Sequence, residues 1–423
     1  MTYIAVGRFT KIFTIPEIRN KVLFVMGLLV LSRVLSAVPI PGVDTASLAA
    51  FLNNNQVFGL ISTFTGGGLQ NFSIAMLGVG PYITASIVMQ LLTMIFPYLE
   101  QMYKYEGEAG RNRFNQYSRI LTIPFSWIQG YAFIALLQRQ GLVNDITGIK
   151  LLIALLVISA GSLLLVWLGE LITEKNIGNG ISLLIFAGIV SAIPQTIQNA
   201  FFSFTSADLL AYVAYAVIGL VVIAGVVFLT EAQRNVPVTY ARRLRGRVMN
   251  AVSTYLPMRV NNAGVMPIIF ALSLLLFPTM IAGYLVLSNI EIVSQVARFI
   301  NSSLQNQLIY GVLFFILVVV FTFFYTVISF DPKSVAENMQ KQGGYIPGIR
   351  PGPSTVSYLN DLLTRITFVG ALFLGAIAVL PQIIQGVTGI STLTIGGTSL
   401  LIVVGVVMEM LKSLDAQISM HEY

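Results

Sequence analysis

Ionisable side chains in or beside the long apolar stretches of this 423-residue chain are few: Arg33, Arg119, Glu170, Arg365 and Glu409. The single histidine, His421, stands in the tail, and there is no cysteine. That inventory offers no thiolate metal site and no disulfide. No Gly-x-x-x-x-Gly-Lys-Ser/Thr phosphate loop is present either. The stretches 176–207, 260–290 and 366–408 contain no Asp, Glu, Lys, Arg or His. Ion-coupled carriers and proton pumps place such groups inside the membrane, and these stretches supply none. The charges at the edges of the apolar segments read as anchors or pairs, and Arg33 alone falls well inside one. No cofactor is expected, and the chemistry points away from an enzyme.

What the central positions do offer is aliphatic. The frame Gly-Val-x-Pro-x-Ile-x-Ala occurs twice, at Gly78–Ala85 and at Gly264–Ala271. Helix breakers at matching places in two halves of a membrane protein mark interrupted backbone around a central path. Val79, Ile83 and Ile269 stand at these breaks. A ring of such side chains would form a dewetted constriction that binds nothing; ordinary packing explains them equally well from spacing alone.

The elements that must carry these residues are membrane helices. The chain is 56% hydrophobic and 10% charged, against about 25% charged in a typical soluble domain. Apolar stretches of about 20 residues, enough to cross a bilayer, are expected near 22–40, 74–96, 117–137, 150–172, 177–198, 209–230, 263–287, 308–329, 362–384 and 392–412. The first is too long for a signal-peptide core and is expected to stay in the mature protein. Arg8, Lys11, Arg19, Lys21 and most Lys and Arg in the loops after even-numbered spans would lie on one side. The positive-inside rule makes that side cytoplasmic, with both termini on it. The net charge of +7 is mostly this bias.

Ten spans divide into five and five, giving expected halves 1–198 and 199–423, with the repeated frame on spans two and seven. Because five is odd, the second half enters inverted. The fold expected is an all-α membrane protein of two inverted five-helix halves around a central hourglass pore. The long segment 41–73 is apolar but too short to span; it reads either as a plugging element, movable at Gly66-Gly67-Gly68, or as an ordinary external loop. The basic loops 231–262 and 331–361 are longer than a connection needs, which favours a functional role.

At this point the motifs resemble one family closely. Pro39-Ile40-Pro41-Gly42, Leu77–Ser86, Trp167-Leu168-Gly169-Glu170, Ile177–Ser182, Asn262–Pro267, Ile346–Gly352 and Gly396–Ile402 follow in order as in the SecY family, channel-forming subunits of the bacterial Sec translocase. The resemblance implies a protein-conducting channel with a pore ring of Val79, Ile83, Ile181, Ile185, Ile269 and Ile402. It implies a plug within about residues 56–72, including Phe58, Leu60, Ile61, Phe64 and Gly67. A lateral gate would lie between spans two and seven, where Thr84, Gln90 and Asn262 could bond across the seam; Asn262 also suits a helix cap. Arg234, Arg242, Arg243 and Arg350 would meet the SecA motor or the ribosome. Asn235 departs from the family pattern, in which a second arginine often follows the first, and leaves more of that contact to Arg234, Arg242 and Arg243. SecE and SecG would be partners, precursor proteins the cargo, and the bacterial cytoplasmic membrane the location. A ten-helix secondary transporter shares the architecture and is the competing reading.

Overall fold

A backbone in lipid must satisfy its N–H and C=O groups within its own segment, so uncharged apolar runs become helices. The computed structural model describes residues 14–40, 48, 68–69, 72–139, 141, 147–202, 209–240, 243–244, 247–248, 252–286, 290–388 and 392–421. In chain order the described helices are α1 (Pro16–Ala37), α2 (Gly80–Ile95), α3 (Pro97–Lys104), α4 (Gly107–Arg139), α5 (Ile149–Glu174), α6 (Gly180–Phe202), α7 (Leu209–Glu231), α8 (Met266–Leu285), α9 (Glu291–Gln305), α10 (Gln307–Ser329), α11 (Pro332–Lys341), α12 (Pro353–Thr388) and α13 (Thr392–His421). All but α3, α9 and α11 lie over the ten expected spans.

Several departures from plain crossings have local causes. Pro97 has no N–H to continue α2, and Phe96 before it is extended (φ −106°, ψ 108°). The chain therefore bends by 111° into α3, which lies on α4 through Met102 and Phe114 beside Met89. At 36 residues, α12 runs to about 54 Å, well beyond the roughly 30 Å of hydrocarbon. Its surplus first turns leave the membrane and bury Leu359 and Leu363 under a small sheet.

That sheet is an addition to the helical body. Strand β1 (Gln233–Tyr240) pairs antiparallel with β4 (Val252–Arg259), from Gln233 opposite Arg259 to Tyr240 opposite Val252. At the far end of this hairpin, β2 (Arg243–Leu244) pairs with β3 (Arg247–Val248). The second long loop supplies β5 (Gly344–Tyr345), which pairs with β1 at Thr239 and Tyr240. Both basic loops thus share one core of Val236, Val238, Met258, Met339 and Ile346.

The neck of segment 41–71 is pinned on the other side of the membrane. Ile40 N donates to Phe72 O (2.8 Å) and Ile74 N to Val38 O (3.0 Å). Leu48, Leu69 and Phe72 pack with Phe133, Ile134 and Leu137 of α4 and Ile158 of α5. Gly161 allows α5 to pass beneath the Ile74 carbonyl, which a Cβ there would overlap.

Candidate functional site

The two copies of the repeated frame have the same backbone. Gly78 (φ 57°) and Gly264 (φ 63°) both adopt the left-handed conformation that favours glycine. Two residues later a helix begins in each case, at Gly80 and at Met266. Proline follows in the first turn, where its missing N–H is one that no helical carbonyl would have met. The first helical bonds also correspond, Ile83 N to Val79 O (3.1 Å) and Ile269 N to Val265 O (3.2 Å). Each frame therefore turns the chain sharply and aims an isoleucine, Ile83 or Ile269, into the same interior.

Two more isoleucines come from the start of α6. Asn179 caps this helix, its Oδ1 accepting from Ile181 N (3.1 Å) and Ser182 N (3.2 Å). Gly180 N donates to Thr173 Oγ1 (2.9 Å). Gly180 lies so close to the Gly169 carbonyl that a Cβ would overlap it. The run Ile177–Ser182 is therefore a tight α5–α6 corner that presents Ile181 and Ile185. Ile402 comes from α13, which approaches the second frame through Gly405, packed directly on Val265. Val79, Ile83, Ile185, Ile269 and Ile402 are all buried in one cluster, and Ile181 packs at its edge.

A cavity of about 470 Å³ ends on this cluster. Its aliphatic floor includes Ile83, Ile181, Ile185 and Ile269, and its wall includes Gln90, Glu108, Arg119, Glu170, Glu174 and Ser182. Arg119 Nε sits 2.6 Å from Glu170 Oε1 and ties α4 to α5 at the wall. A second cavity of about 380 Å³ adjoins it, sharing Asn179, Met266 and Tyr325, and contains Arg259, Asn261, Asn262, Glu409 and Lys412. Both cavities are thus lined by polar and charged side chains, and the larger one is bounded also by the isoleucines.

The three expected seam residues occupy three places. Thr84 Oγ1 donates to Gly80 O (3.1 Å) and accepts from Gln129 Nε2 of α4 (3.3 Å). Gln90 Nε2 reaches Ser86 Oγ at 3.4 Å on its own helix. Asn262 faces the second cavity, while neighbouring Asn261 Nδ2 donates to Gly264 O (3.2 Å) across the break. The seam itself, where α8 packs on α2 and α4, joins Phe125 and Phe277 edge to face at 5.9 Å. Leu136 lies against Gly283 there. Sequence reading passed over Gln129, a buried amide in an apolar span, and Val265, which the repeat itself aligns with Val79.

Comparison with known proteins decides the family. The SecY family model matches residues 73–411. The chain belongs to the SecY family. It is 42% identical over 428 residues to the protein translocase subunit SecY of Halalkalibacterium halodurans, covering 98% of each. It is 39% identical over 433 residues to that of Thermotoga maritima, covering 98% of this chain and 96% of the relative. Among solved structures it resembles one described as a protein conducting channel, with a TM-score of 0.66 at 21% identity over 94% of this chain and 91% of that one. Another, from work on the SecY plug domain and closed channel, gives 0.64 at the same identity and coverage. These structures show the same all-α membrane fold.

The remaining SecY-type residues fall in the loops. Arg234, on β1 opposite Met258, is exposed. Arg350 is exposed beyond the Gly348 turn (φ 83°), its carbonyl accepting from Thr355 Oγ1 at 2.9 Å. Arg243 pairs through its backbone with Val248 in β2–β3. Arg242 and the expected plug residues Phe58, Leu60, Ile61, Phe64 and Gly67 lie outside the described residues.

Proposed function

We propose that this SecY-family chain conducts unfolded polypeptides across the bacterial cytoplasmic membrane and releases hydrophobic segments sideways into lipid. The observation that carries the reading is a polar, charged vestibule that ends on a floor of isoleucines from α2, α6 and α8. A secreted chain carries many charges, each costing about 2.5–3.5 kcal/mol at the bilayer centre. Ten of them would cost on the order of 30 kcal/mol, so a wet conduit is required. The conduit must also stay closed to ions when idle. Aliphatic side chains meet both needs, since they fit around a passing chain of any sequence and offer ions no ligand.

Val79, Ile83, Ile181, Ile185, Ile269 and Ile402 act as this gasket, and residues 56–72 plug its external side. The seam between α2 and α8 acts as the lateral gate. A 20-residue apolar segment gains about 6–12 kcal/mol by entering lipid, so a seam that parts lets such a segment leave while hydrophilic sequence passes on. Both termini and the sheet face the cytoplasm. The exposed Arg234 and Arg350, with Arg242 and Arg243, dock the SecA motor or the ribosome, and SecE and SecG complete the complex.

Single-channel recording tests the gasket. Ile83→Asn or Ile269→Asn is expected to raise resting ion conductance in planar bilayers, and conductance at the unmodified level removes the assignment. A transporter would instead show solute flux insensitive to a signal-bearing precursor. Arg350→Glu is expected to abolish motor-driven translocation with complex assembly intact, and normal export by this variant rejects the docking role.

A further inference from the structure

Helix α9 connects the end of α8 remote from the sheet to the start of α10 and packs on both. Its residues divide into three faces. Ser294, Ala297 and Leu304 are buried against the protein. Glu291, Gln295, Arg298 and Ser302 point outward as a polar face on which Gln295 Nε2 reaches Glu291 Oε1 (3.4 Å). The third face is apolar and uncovered: Ile292, Val296 and Phe299 are 75%, 54% and 72% exposed. These three follow the i, i+4, i+7 spacing of one helical stripe. A water-facing loop has no use for an uncovered isoleucine, valine and phenylalanine in a row, whereas a helix lying in the plane of a bilayer surface needs that arrangement.

The adjoining surface says what covers it. Helix α10, which begins two residues after α9 ends, exposes Leu308, Val312 and Ile316 in the same way, and in a membrane-spanning helix such a row faces lipid. The apolar stripe of α9 extends that lipid-facing surface to the end of the span. We propose that α9 is an interfacial helix whose Ile292, Val296 and Phe299 insert at the headgroup boundary of the leaflet remote from the sheet, holding the end of α8 at that depth. Phospholipid is the partner, with Arg298 and Glu291 left at the headgroup and water level. The inference rests on the membrane fold and not on the channel mechanism, so failure of the pore or gate assignments leaves it standing.

The native chain has no cysteine, so single nitroxide labels need no background removal. Full-length protein with its partner subunits, in vesicles of phosphatidylethanolamine and phosphatidylglycerol, would carry labels at Ile292→Cys, Val296→Cys and Phe299→Cys, and at Glu291→Cys, Gln295→Cys and Arg298→Cys. At the first three, collisions with dissolved oxygen are expected to exceed those with a water-soluble nickel chelate several-fold; at the second three the order reverses. Nickel-dominated collisions at all six would place the helix in water and overturn the proposal. Exclusion of both reagents at Ile292, Val296 and Phe299 would mean that protein covers the stripe, and overturns it equally.

Discussion

Two of the seams along which the halves of this molecule meet are built differently. Where α13 crosses the α5–α6 corner, Ser413 Oγ donates to Asn176 O (2.6 Å). Gln417 Nε2 donates to Asn176 O (2.6 Å) and Lys175 O (3.3 Å). Where α8 meets α2 and α4, the contacts include the Phe125–Phe277 ring pair and Leu136 on Gly283. The polar groups of α2 turn instead to their own half, Thr84 to Gln129 and Gln90 to Ser86. Each kind of contact is worth about 0.5–1.5 kcal/mol, so strength alone does not separate the seams. The alternatives to each contact do. Lipid tails are as apolar as leucine, and an apolar seam that parts sideways trades one apolar neighbour for another. The α13 seam parts only by breaking aligned donor–carbonyl bonds, which lie at the exposed Asn176 end of the corner. We expect the α13 seam to stay joined and the α8 seam to open.

Cross-linking gives the largest expected effect. A short bis-maleimide joining Phe125→Cys to Phe277→Cys should abolish integration of hydrophobic segments, measured with a membrane-protein precursor in reconstituted vesicles. The same reagent joining Asn176→Cys to Ser413→Cys should leave integration near the unlinked level. Equal loss from both links would erase the distinction. A smaller effect is expected from Gln417→Leu, which strips a donor from two carbonyls. It should lower complex stability by about 1–3 kcal/mol, read as a fall in melting temperature, without moving the hydrophobicity threshold for integration. The smallest belongs to Gln90→Leu, since Gln90 Oε1 is buried without a hydrogen-bond partner. A shift in that threshold equivalent to about 0.6 kcal/mol is expected, on the scale of single polar contacts in membranes. An unchanged threshold removes Gln90 from the gate.

Much of this was legible in the residues because its causes are local. The ten spans follow from length and hydropathy, and Ile83 and Ile269 were found through a frame whose glycine and proline dictate the turn beside them. The corner that presents Ile181 follows from Asn179 and its neighbouring glycines. Partners were harder to read than positions. Thr84 bonds Gln129, which lies 45 residues away, and Ser413 reaches back 237 residues to Asn176. The sheet was missed because its third strand comes from a separate loop. Helix α9 was missed because it is amphipathic and, at 15 residues, too short to register as a span.

The amino-acid order by itself determined which segments enter the bilayer, where they break, and which aliphatic side chains stand at the breaks. A hydrocarbon solvent imposes those choices segment by segment, whatever the neighbours do. Only the tertiary structure decided that isoleucines from three helices share one floor, that a charged vestibule stops on it, and that one seam brings Ser413 and Gln417 onto Asn176 while the other joins Phe125 to Phe277. Those outcomes depend on which distant side chains are packed within a few ångströms of one another, and no local preference specifies that.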